Sequence, residues 1–195
     1  MPDALSILTG EYERLRLAAG HAAIELDLGC GKGGYLLELA RRFPDRLIIG
    51  ADVMLGRLRK IQRKAERRGL ANVMLLRVEA WSLLPLLPDG ALDRIHILCP
   101  DPWPKARHRA HRLITSELLG RLAGKLTATG VLHLATDNGP YLETMRAAIA
   151  PLASYREDRE GIRDAVEIQT DFERGFAARG VAVGHLSYRR EEQLV

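Results

Sequence analysis

The sequence predicts an α/β fold, in which helices cover a doubly wound, mostly parallel sheet of seven strands with an antiparallel strand near the carboxyl terminus. Three observations lead to this prediction. Short apolar runs alternate with segments of helical periodicity, a glycine-rich turn follows the first apolar run, and no repeat or linker-like stretch interrupts the pattern. With 195 residues, 47% of them hydrophobic, the chain can fill one core, so we expect a single domain over residues 1–195.

The strand candidates are short, mostly apolar runs bounded by turn residues. They are residues 22–28, 46–51, 72–78, 91–98, 131–136 and 184–190. Helical periodicity is found at 34–43, 57–68, 115–126 and 139–152, with a shorter segment after residue 78. Because crossover helices return the chain to the same end of a sheet, the first five strands should be parallel. A short helix is expected over 170–180, and the final strand should join antiparallel at the end of the sheet.

The bulk composition narrows the possible functions only slightly. The formal net charge is +4, and basic residues concentrate in 57–69 and 105–112, which is a mild indication of a polyanionic partner. Cys30 and Cys99 lack metal-ligand spacing and are expected to be reduced thiols. No apolar run reaches membrane-spanning length and no secretion signal is recognised, so we expect a cytoplasmic protein that binds neither a membrane nor a metal.

The segment DLGCGKGG places glycines directly after the first predicted strand, where a tight turn brings the backbone close to a ligand. Gly29, Gly31 and Gly34 satisfy the dinucleotide-binding pattern G-x-G-x-x-G. Gly29, Gly31 and Gly33 equally satisfy the G-x-G-x-G pattern of methyltransferases. The glycines predict a nucleotide-like ligand, but they do not distinguish between these two classes.

Acidic residues at the ends of the first three strands are more informative. Asp27 precedes the first glycine, where a carboxylate would face a cationic amino-acid-like group rather than a pyrophosphate. Asp52 ends the second strand, where such folds bind ribose hydroxyls, and Glu79, followed by Ala80, lies near the expected adenine position. Three acids without a phosphate-binding cation favour S-adenosylmethionine, a sulfonium nucleoside, over NAD. Taken singly, each acid also has an ordinary alternative role. Asp27 could be a helix or turn cap, Asp52 a turn residue and Glu79 a solvated surface acid.

The loop after the fourth strand, CPDPWPK, combines an acid with three prolines at the edge of the sheet where ligands bind. The prolines restrict the backbone, so the loop should hold Asp101 and Trp103 in a stiff, extended segment. Asp101 would lie beside the sulfonium, accept hydrogen bonds from the N1 and N2 edge of a guanine, and stabilise positive charge developing on the ring. We therefore predict that Asp101 is both a donor-binding and a catalytic residue.

Cationic side chains follow this loop and suit contact with a phosphate backbone. They are Lys105, Arg107, His108, Arg109, His111 and Arg112. The plain alternative is a proline-bent surface loop with a solvated cationic flank. Metal binding by His108 and His111 is not expected, because no further His or Cys completes a site at suitable spacing.

Several segments together resemble the bacterial tRNA (guanine-N7-)-methyltransferases. They are DLGCGKGGYLLELA, NV at 72–73, PDPWPKARHRAHRL, TD at 136–137 and TDFE at 170–173. They follow in order over nearly the whole chain, and PDPWPK followed by R-H is far more specific than the glycine turn. The resemblance implies a Rossmann-like class I methyltransferase fold, S-adenosylmethionine as donor, tRNA as partner, and N7 of a guanine in the variable loop as acceptor.

The resemblance also implies roles for single residues. Donor-binding positions fall on Asp27, Asp52 and Glu79, which keep the family's negative charge and differ from its usual acids by one methylene. Asp101 falls on an acid implicated in donor binding and catalysis. Substrate-binding positions fall on Lys105, Asp137, Thr170 and Glu173. Without the resemblance, the last three would be interpreted equally well as helix caps.

Departures from the family's pattern bear on tRNA binding. Ala106, Ala110 and His111 stand where relatives commonly carry Lys or Arg, and Gly175 stands where a cation often follows the TDFE segment. This thinner cationic run is expected to weaken tRNA binding or to change its dependence on salt. Cys99 also replaces a common aromatic residue.

Two other functions remain open on the sequence. A methyltransferase for another RNA or for a small molecule would keep the donor site and use the basic segments only as solvated surface. A non-catalytic RNA-binding module on the same fold would bind RNA but no methyl donor. A nicotinamide dehydrogenase is disfavoured, because no residue in the pattern supplies a hydride-transfer acid. The sequence does not distinguish a monomer from a homodimer.

Overall fold

The computed structural model describes residues 5–7, 14–17, 20–103, 107, 112–171, 173, 175 and 180–191. Within these residues, eight strands form one sheet. They are β1 (Leu5–Ile7), β2 (Ala23–Leu28), β3 (Arg46–Asp52), β4 (Val73–Arg77), β5 (Leu92–Leu98), β6 (Leu126–Thr136), β7 (Tyr155–Glu157) and β8 (Gly184–Arg190). The helices are α1 (Gly34–Arg42), α2 (Leu55–Arg67), α3 (Ala80–Leu83), α4 (Ser116–Ala123) and α5 (Gly139–Ile149). In the predicted helix 170–180, the described residues Asp171, Glu173 and Gly175 are helical.

The strand order β1-β4-β3-β2-β5-β6-β8-β7 confirms the doubly wound α/β prediction. Strands β1 to β6 pair in parallel, and β8 runs antiparallel to both β6 and β7. The antiparallel direction of β8 was expected, but its place at the end of the sheet was wrong, because β7 pairs with its outer edge. Strand β7 was not predicted, since three residues are too few to show a strand period. Strand β1 at the other edge was not predicted either, so the described sheet has eight strands, where six were located in the sequence and seven were expected.

Strand β6 begins earlier than the sequence indicated. Helix α4 ends at Ala123, and Leu126 already pairs with Leu92 of β5. The next pair joins Val131 to Arg94, so the residues between Leu126 and Val131 bulge out of the ladder. The residues in this bulge interrupt the apolar run in the sequence. Only the second part of β6 was therefore recognised as a strand.

Apolar side chains fill both faces of the sheet. Leu118 of α4 and Tyr141 of α5 belong to the cluster on one face, and Leu36 of α1 and Ile61 of α2 belong to the cluster on the other. Helices therefore cover both faces, as parallel strands require. Within the described part of the chain, no helix combines the length and apolar character that a membrane span needs.

The parallel direction of β2 to β6 determines where a ligand can bind. Because these strands run the same way, the loops that follow them meet at one edge of the sheet, outside the carboxyl ends of the strands. The glycine turn, Asp52, Glu79 and the CPDPWPK loop all begin at this edge.

Candidate active site

A cleft of about 320 Å³ opens at the carboxyl edge of the sheet. Its walls come from the ends of β2, β3, β4 and β5. Residues predicted to bind the donor contribute to these walls: Gly29, Asp52, Glu79, Ala80 and Asp101. The other lining residues are mainly apolar, and their size and character match a small-molecule site in which a few polar groups orient the ligand.

The glycine turn needs its glycines for two different physical reasons. Gly29, Gly31 and Gly33 all have positive φ, at +85°, +57° and +77°. Residues with a Cβ rarely adopt this conformation. At Gly33, where α1 begins, a Cβ would also lie 2.6 Å from Cγ1 of Ile61. The turn therefore combines an unusual backbone with close packing of α1 on α2.

Asp52 is fixed by backbone donors. Its Oδ2 accepts the N–H of Gly31 at 3.0 Å, and its Oδ1 accepts the N–H of Met54 at 2.7 Å. A guanidinium nitrogen of Arg57 lies 3.7 Å from Oδ2. Since each carboxylate oxygen accepts more than one hydrogen bond, Asp52 keeps capacity for the two hydroxyls of a ribose at the cleft wall.

Asp27 lies next to the cleft but does not line it. Its side chain is 3% exposed, and burial, followed by the negative charge of Asp52, raises its pKa to about 7. No residue that the structure describes donates a hydrogen bond to the Asp27 carboxyl group. A buried acid without a partner requires either a proton or a cation.

Glu79 is a helix cap, which was not predicted, and it also lines the cleft. It caps α3, because its carboxylate accepts the backbone N–H groups of Trp81 at 3.0 Å and Ser82 at 3.1 Å. It also lines the cleft together with Ala80, the first residue of α3. The cap therefore holds the Glu79 side chain at the cleft wall.

The loop that carries Asp101 differs from the predicted extended segment. Cys99 and Trp103, each followed by a proline in the sequence, have φ of +50° and +41°. Left-handed backbone at such residues costs roughly 1–3 kcal/mol and persists only where other contacts impose it. The N–H of Cys99 donates to the carbonyl of Ala135 at 2.8 Å, and Asp101 is exposed on the cleft wall.

Arg112 supplies another of these contacts, and this role was missed. Its Nε donates to the carbonyl of Pro102 at 2.8 Å, and its guanidinium carbon lies 5.1 Å from the centre of the Tyr141 ring. The guanidinium of Arg112 therefore braces the Asp101 loop, and its contact with phosphate stays a prediction. No pattern in the sequence distinguished it from the neighbouring cations.

The rest of the predicted cationic run is only partly described. Lys105, His108 and the substituted positions Ala106, Ala110 and His111 lie outside the described residues. Arg107 is exposed.

The TDFE segment lies next to the Asp101 loop. Thr170 and Glu173 form a reciprocal cap, in which the N–H of Glu173 donates to Thr170 Oγ1 at 3.0 Å and the N–H of Thr170 donates to Glu173 Oε2. Burial, together with the charges of Glu173 and Asp137, raises the pKa of the Cys99 thiol to about 12. The structure thus brings Thr170, Glu173 and Asp137 together beside Cys99.

Asp171 connects this segment to the glycine turn and was not singled out in the sequence. Its Oδ2 accepts the N–H of Gly34, the first residue of α1, at 2.9 Å. The contact joins residues that are 137 positions apart, so no local pattern indicated it. The predicted donor side and substrate side are therefore in direct contact.

The electrostatic character of the cleft fits a cationic nucleoside. Asp52, Glu79 and Asp101 line it, Asp27 lies behind it, and none of the described lining residues is Lys or Arg. A ligand with a positive charge and two adjacent hydroxyls matches this set of groups, whereas a pyrophosphate would be repelled by the charged side chains among the described lining residues, which are all acids.

Comparisons with known proteins agree with this geometry. A family model described as "Putative methyltransferase" matches residues 21–186. The tRNA (guanine-N(7)-)-methyltransferase of Caulobacter vibrioides strain NA1000 is 33% identical over 163 residues, which are 83% of this chain and 72% of that protein. The protein of the same name from Methylococcus capsulatus is 36% identical over 174 residues, or 87% and 75% of the two chains.

Solved structures with the same fold are more distant in sequence. The 16S rRNA methyltransferase KamB has a TM-score of 0.62 at 19% identity, covering 89% of this chain and 90% of that one. The aminoglycoside resistance methyltransferase NpmB1 has a TM-score of 0.60 at 18% identity, covering 88% and 89%. At this identity the likeness concerns the fold, which is that of class I methyltransferases.

Proposed function

Because the chain belongs to the family of tRNA (guanine-N(7)-)-methyltransferases, we propose that it transfers the methyl group of S-adenosylmethionine to N7 of a guanine in tRNA. We further propose that this guanine lies in the variable loop. The observation that carries the proposal is the position of Asp101, which lines the same cleft as the glycine turn. An acid on the opposite side of the sheet would have had no access to a bound donor.

Groups in the cleft and beside it support binding of the ribose, the adenine and the cationic part of S-adenosylmethionine. We propose that Asp52 accepts the ribose hydroxyls, that Glu79 and Ala80 lie beside the adenine, and that Gly29, Gly31 and Gly33 allow close approach of the backbone. The negative charge of Asp27 complements the cationic part of the ligand. When bound, S-adenosylmethionine supplies a methyl group on a positively charged sulfur.

The chemistry requires little from the protein beyond orientation and charge. Guanine N7 has an in-plane lone pair and no proton, so no general base is needed to expose the nucleophile. The protein must align N7 with the methyl carbon and stabilise the positive charge that moves onto the purine. Asp101 is the proposed catalytic residue, because its exposed carboxylate lies on the cleft wall where the base would approach.

The acceptor half accounts for the contacts to tRNA. We propose that Lys105, Arg107 and His108 bind phosphates, which would make affinity fall as salt concentration rises. Asp137, with Thr170 and Glu173 of the TDFE segment, is proposed to contact the substrate beside the Asp101 loop.

A labelling experiment tests the proposal directly. The protein is incubated with methyl-labelled S-adenosylmethionine and unmodified tRNA, and the labelled nucleoside is identified and mapped. We expect 7-methylguanosine in the variable loop. Unmodified 16S rRNA and a guanosine nucleotide serve as alternative acceptors, and labelling of either one in place of tRNA would reject the proposal. RNA binding without binding of S-adenosylhomocysteine would point instead to a non-catalytic module.

A further inference from the structure

Five polar side chains form a continuous line across one face of the sheet, which we call the histidine chain. Its members, in order, are Glu25 on β2, His96 on β5, His133 on β6, His185 on β8, and Glu173 of the TDFE segment. Successive atoms are 2.9 Å apart (Glu25 Oε2 to His96 Nε2), 3.1 Å (His96 Nδ1 to His133 Nδ1), 3.0 Å (His133 Nε2 to His185 Nδ1) and 3.1 Å (His185 Nε2 to Glu173 Oε1). The histidine chain thus ends at Glu173, an acid proposed to contact the substrate.

Both carboxylates at the ends of the histidine chain are ionised. Burial raises the pKa of Glu25, but the hydrogen bond from His96, the charge of Arg94 and the hydrogen bond from Arg46 outweigh burial and lower the pKa below its usual value. Burial also opposes ionisation of Glu173, whose pKa is nevertheless lowered by hydrogen bonds from His185 and from Thr170. Neither end of the chain therefore supplies a proton.

The contacts of the histidine chain require one more proton than three neutral imidazoles carry. The four hydrogen bonds each need one proton, and three neutral imidazoles provide one N–H each, which leaves one proton lacking. Without that proton, two lone pairs would face each other at about 3 Å somewhere in the chain, in a site where buried polar groups need partners. One of the three rings is therefore an imidazolium.

Charge balance and exposure place the imidazolium at His185. His96 and His133 are 0% and 1% exposed, and burial lowers the pKa of His133 well below its usual value. The His185 side chain is 23% exposed, so its charge costs less to desolvate. It is also the ring that contacts Glu173.

The other end of the histidine chain is already neutralised by arginines. Arg46 lies 2.6 Å from Glu25 and 2.9 Å from Asp164, and Arg94 lies 3.7 Å from Glu25 and 2.8 Å from Asp164. Two guanidinium groups thus balance two carboxylates. A third positive charge at His96 would be uncompensated, whereas at His185 it neutralises Glu173.

Other titratable groups face the histidine chain from the elements packed against it. They are Tyr35 of α1, whose hydroxyl lies 3.1 Å from His96 Nδ1, Asp27 of β2, whose charge acts on Tyr35, and Cys99, on which the charge of Glu173 acts. Burial raises the pKa of the Tyr35 hydroxyl and of the Cys99 thiol, so both stay protonated. None of these groups supplies a second cation to Glu173.

We propose that His185 is a positioning residue for the methyl transfer. In its imidazolium form, His185 holds the Glu173 carboxylate in the orientation that binds tRNA. This inference rests on the proposed function. His185 donates to Oε1 of Glu173 while the backbone N–H of Thr170 donates to Oε2, so both oxygens are oriented. Glu173 lies close enough to Cys99, at the start of the Asp101 loop, for its charge to raise the pKa of that thiol.

Nitrogen NMR of the wild-type protein tests the protonation without any substitution that might unfold it. With ¹⁵N-labelled histidine at pH 7.5, we expect one of the three rings in the chain to show imidazolium shifts at both nitrogens. Assignment uses His185→Gln, in which that signal disappears while His96 and His133 stay neutral. Three neutral rings, or an imidazolium assigned to His96, would overturn the inference.

A double-mutant cycle tests the positioning role. His185→Gln and Glu173→Gln are each expected to raise the KM for tRNA about tenfold, the scale of one hydrogen bond to a charged group, with kcat nearly unchanged. The KM of the double variant for tRNA should be no higher than that of the more impaired single variant, because His185 acts through Glu173. Additive losses would refute the role.

The controls separate this inference from the proposed function. His21→Gln makes the same substitution outside the histidine chain and should leave the KM for tRNA unchanged. Unchanged affinity for S-adenosylhomocysteine in all variants shows that the fold is intact. An imidazolium at His185 in a protein that does not methylate tRNA would refute the proposed function alone. A neutral His185 in an active enzyme would refute only the positioning role.

Discussion

Two acids on the same face of β2 have opposite environments. Glu25 and Asp27 are 1% and 3% exposed and only two residues apart. Glu25 is bonded to His96 and Arg46, and its pKa falls to about 2 despite burial. No residue in the described part of the chain donates a hydrogen bond to Asp27, and burial with the charge of Asp52 raises its pKa to about 7. Partners on neighbouring strands thus neutralise Glu25, which is farther from the cleft, and leave the charge of Asp27, which is next to the cleft, uncompensated.

This difference shows where the protein stabilises its fold and where it reserves charge for a ligand. A buried ion pair with all its hydrogen bonds made is a structural feature, and losing one partner is costly. A buried acid without a partner destabilises the folded state when it ionises, and a bound cation removes that penalty. The cleft end of β2 is therefore suited to bind a positively charged ligand, and the other end is not.

The largest expected effect is the loss of stability when Glu25, the paired acid of β2, is substituted. Glu25→Ala leaves His96 and Arg46 without their buried carboxylate, and we expect it to lower the free energy of unfolding by about 4 kcal/mol at pH 7. Because the folded-state pKa of Glu25 is depressed, its contribution is complete above pH 4.5 and is lost as the pH falls toward 2. Urea denaturation at several pH values measures this.

The control for Glu25 is an acid with a similar pKa shift at the surface. Glu38 pairs with Arg41 and Arg42, which lower its pKa to about 2, but its side chain is 28% exposed. Glu38→Ala should cost less than about 1 kcal/mol, since solvent screens such pairs. Equal losses at the two sites would mean that burial does not distinguish them.

The next effect extends the comparison to an acid on the exposed cleft wall. Asp101→Ala should lower turnover about 100-fold, because the carboxylate stabilises charge that develops during transfer, while affinity for S-adenosylhomocysteine changes much less. Steady-state kinetics with saturating donor and tRNA give the measurement. Unchanged turnover would exclude Asp101 as the catalytic residue.

A smaller change in stability, of opposite sign, is expected when Asp27, the acid of β2 next to the cleft, is substituted. Asp27→Asn should raise the free energy of unfolding by about 2 kcal/mol at pH 8 and weaken donor binding. The folded-state pKa is raised, so the contribution of Asp27 to stability falls as the pH rises from about 4 to 7 and is constant above that range. The variant lacks this decline. Exposed Asp45→Asn is the matched control and should retain it.

The smallest effect is the pH dependence of donor binding. A cationic ligand favours ionised Asp27, so its binding should displace a proton near pH 7 and tighten about tenfold between pH 6 and pH 8. Calorimetry in two buffers of different ionisation enthalpy measures the proton release. Asp27→Asn should abolish it, and release that persists in this variant would assign the titration to another group.

Local patterns in the sequence predicted most of the fold and part of the site. Alternation of apolar runs and helical periodicity indicated the parallel strands, and the glycine turn with Asp52, Glu79 and Asp101 was found at the edge where the cleft opens. Strands β1 and β7 were missed, because three residues cannot show a period. The left-handed backbone at Cys99 and Trp103 was missed because contacts elsewhere impose it.

What the sequence determined by itself follows from neighbours along the chain: the strand and helix periods, the need for glycine after β2, and the acids at strand ends. The tertiary structure decided which acids are paired, because partners come from distant positions. Glu25 and His96 are 71 residues apart, and His133 and His185 are 52 apart. Charge compensation depends on distance in space and on burial, so Glu25 and Asp27, nearly adjacent in sequence, differ only after the sheet has formed.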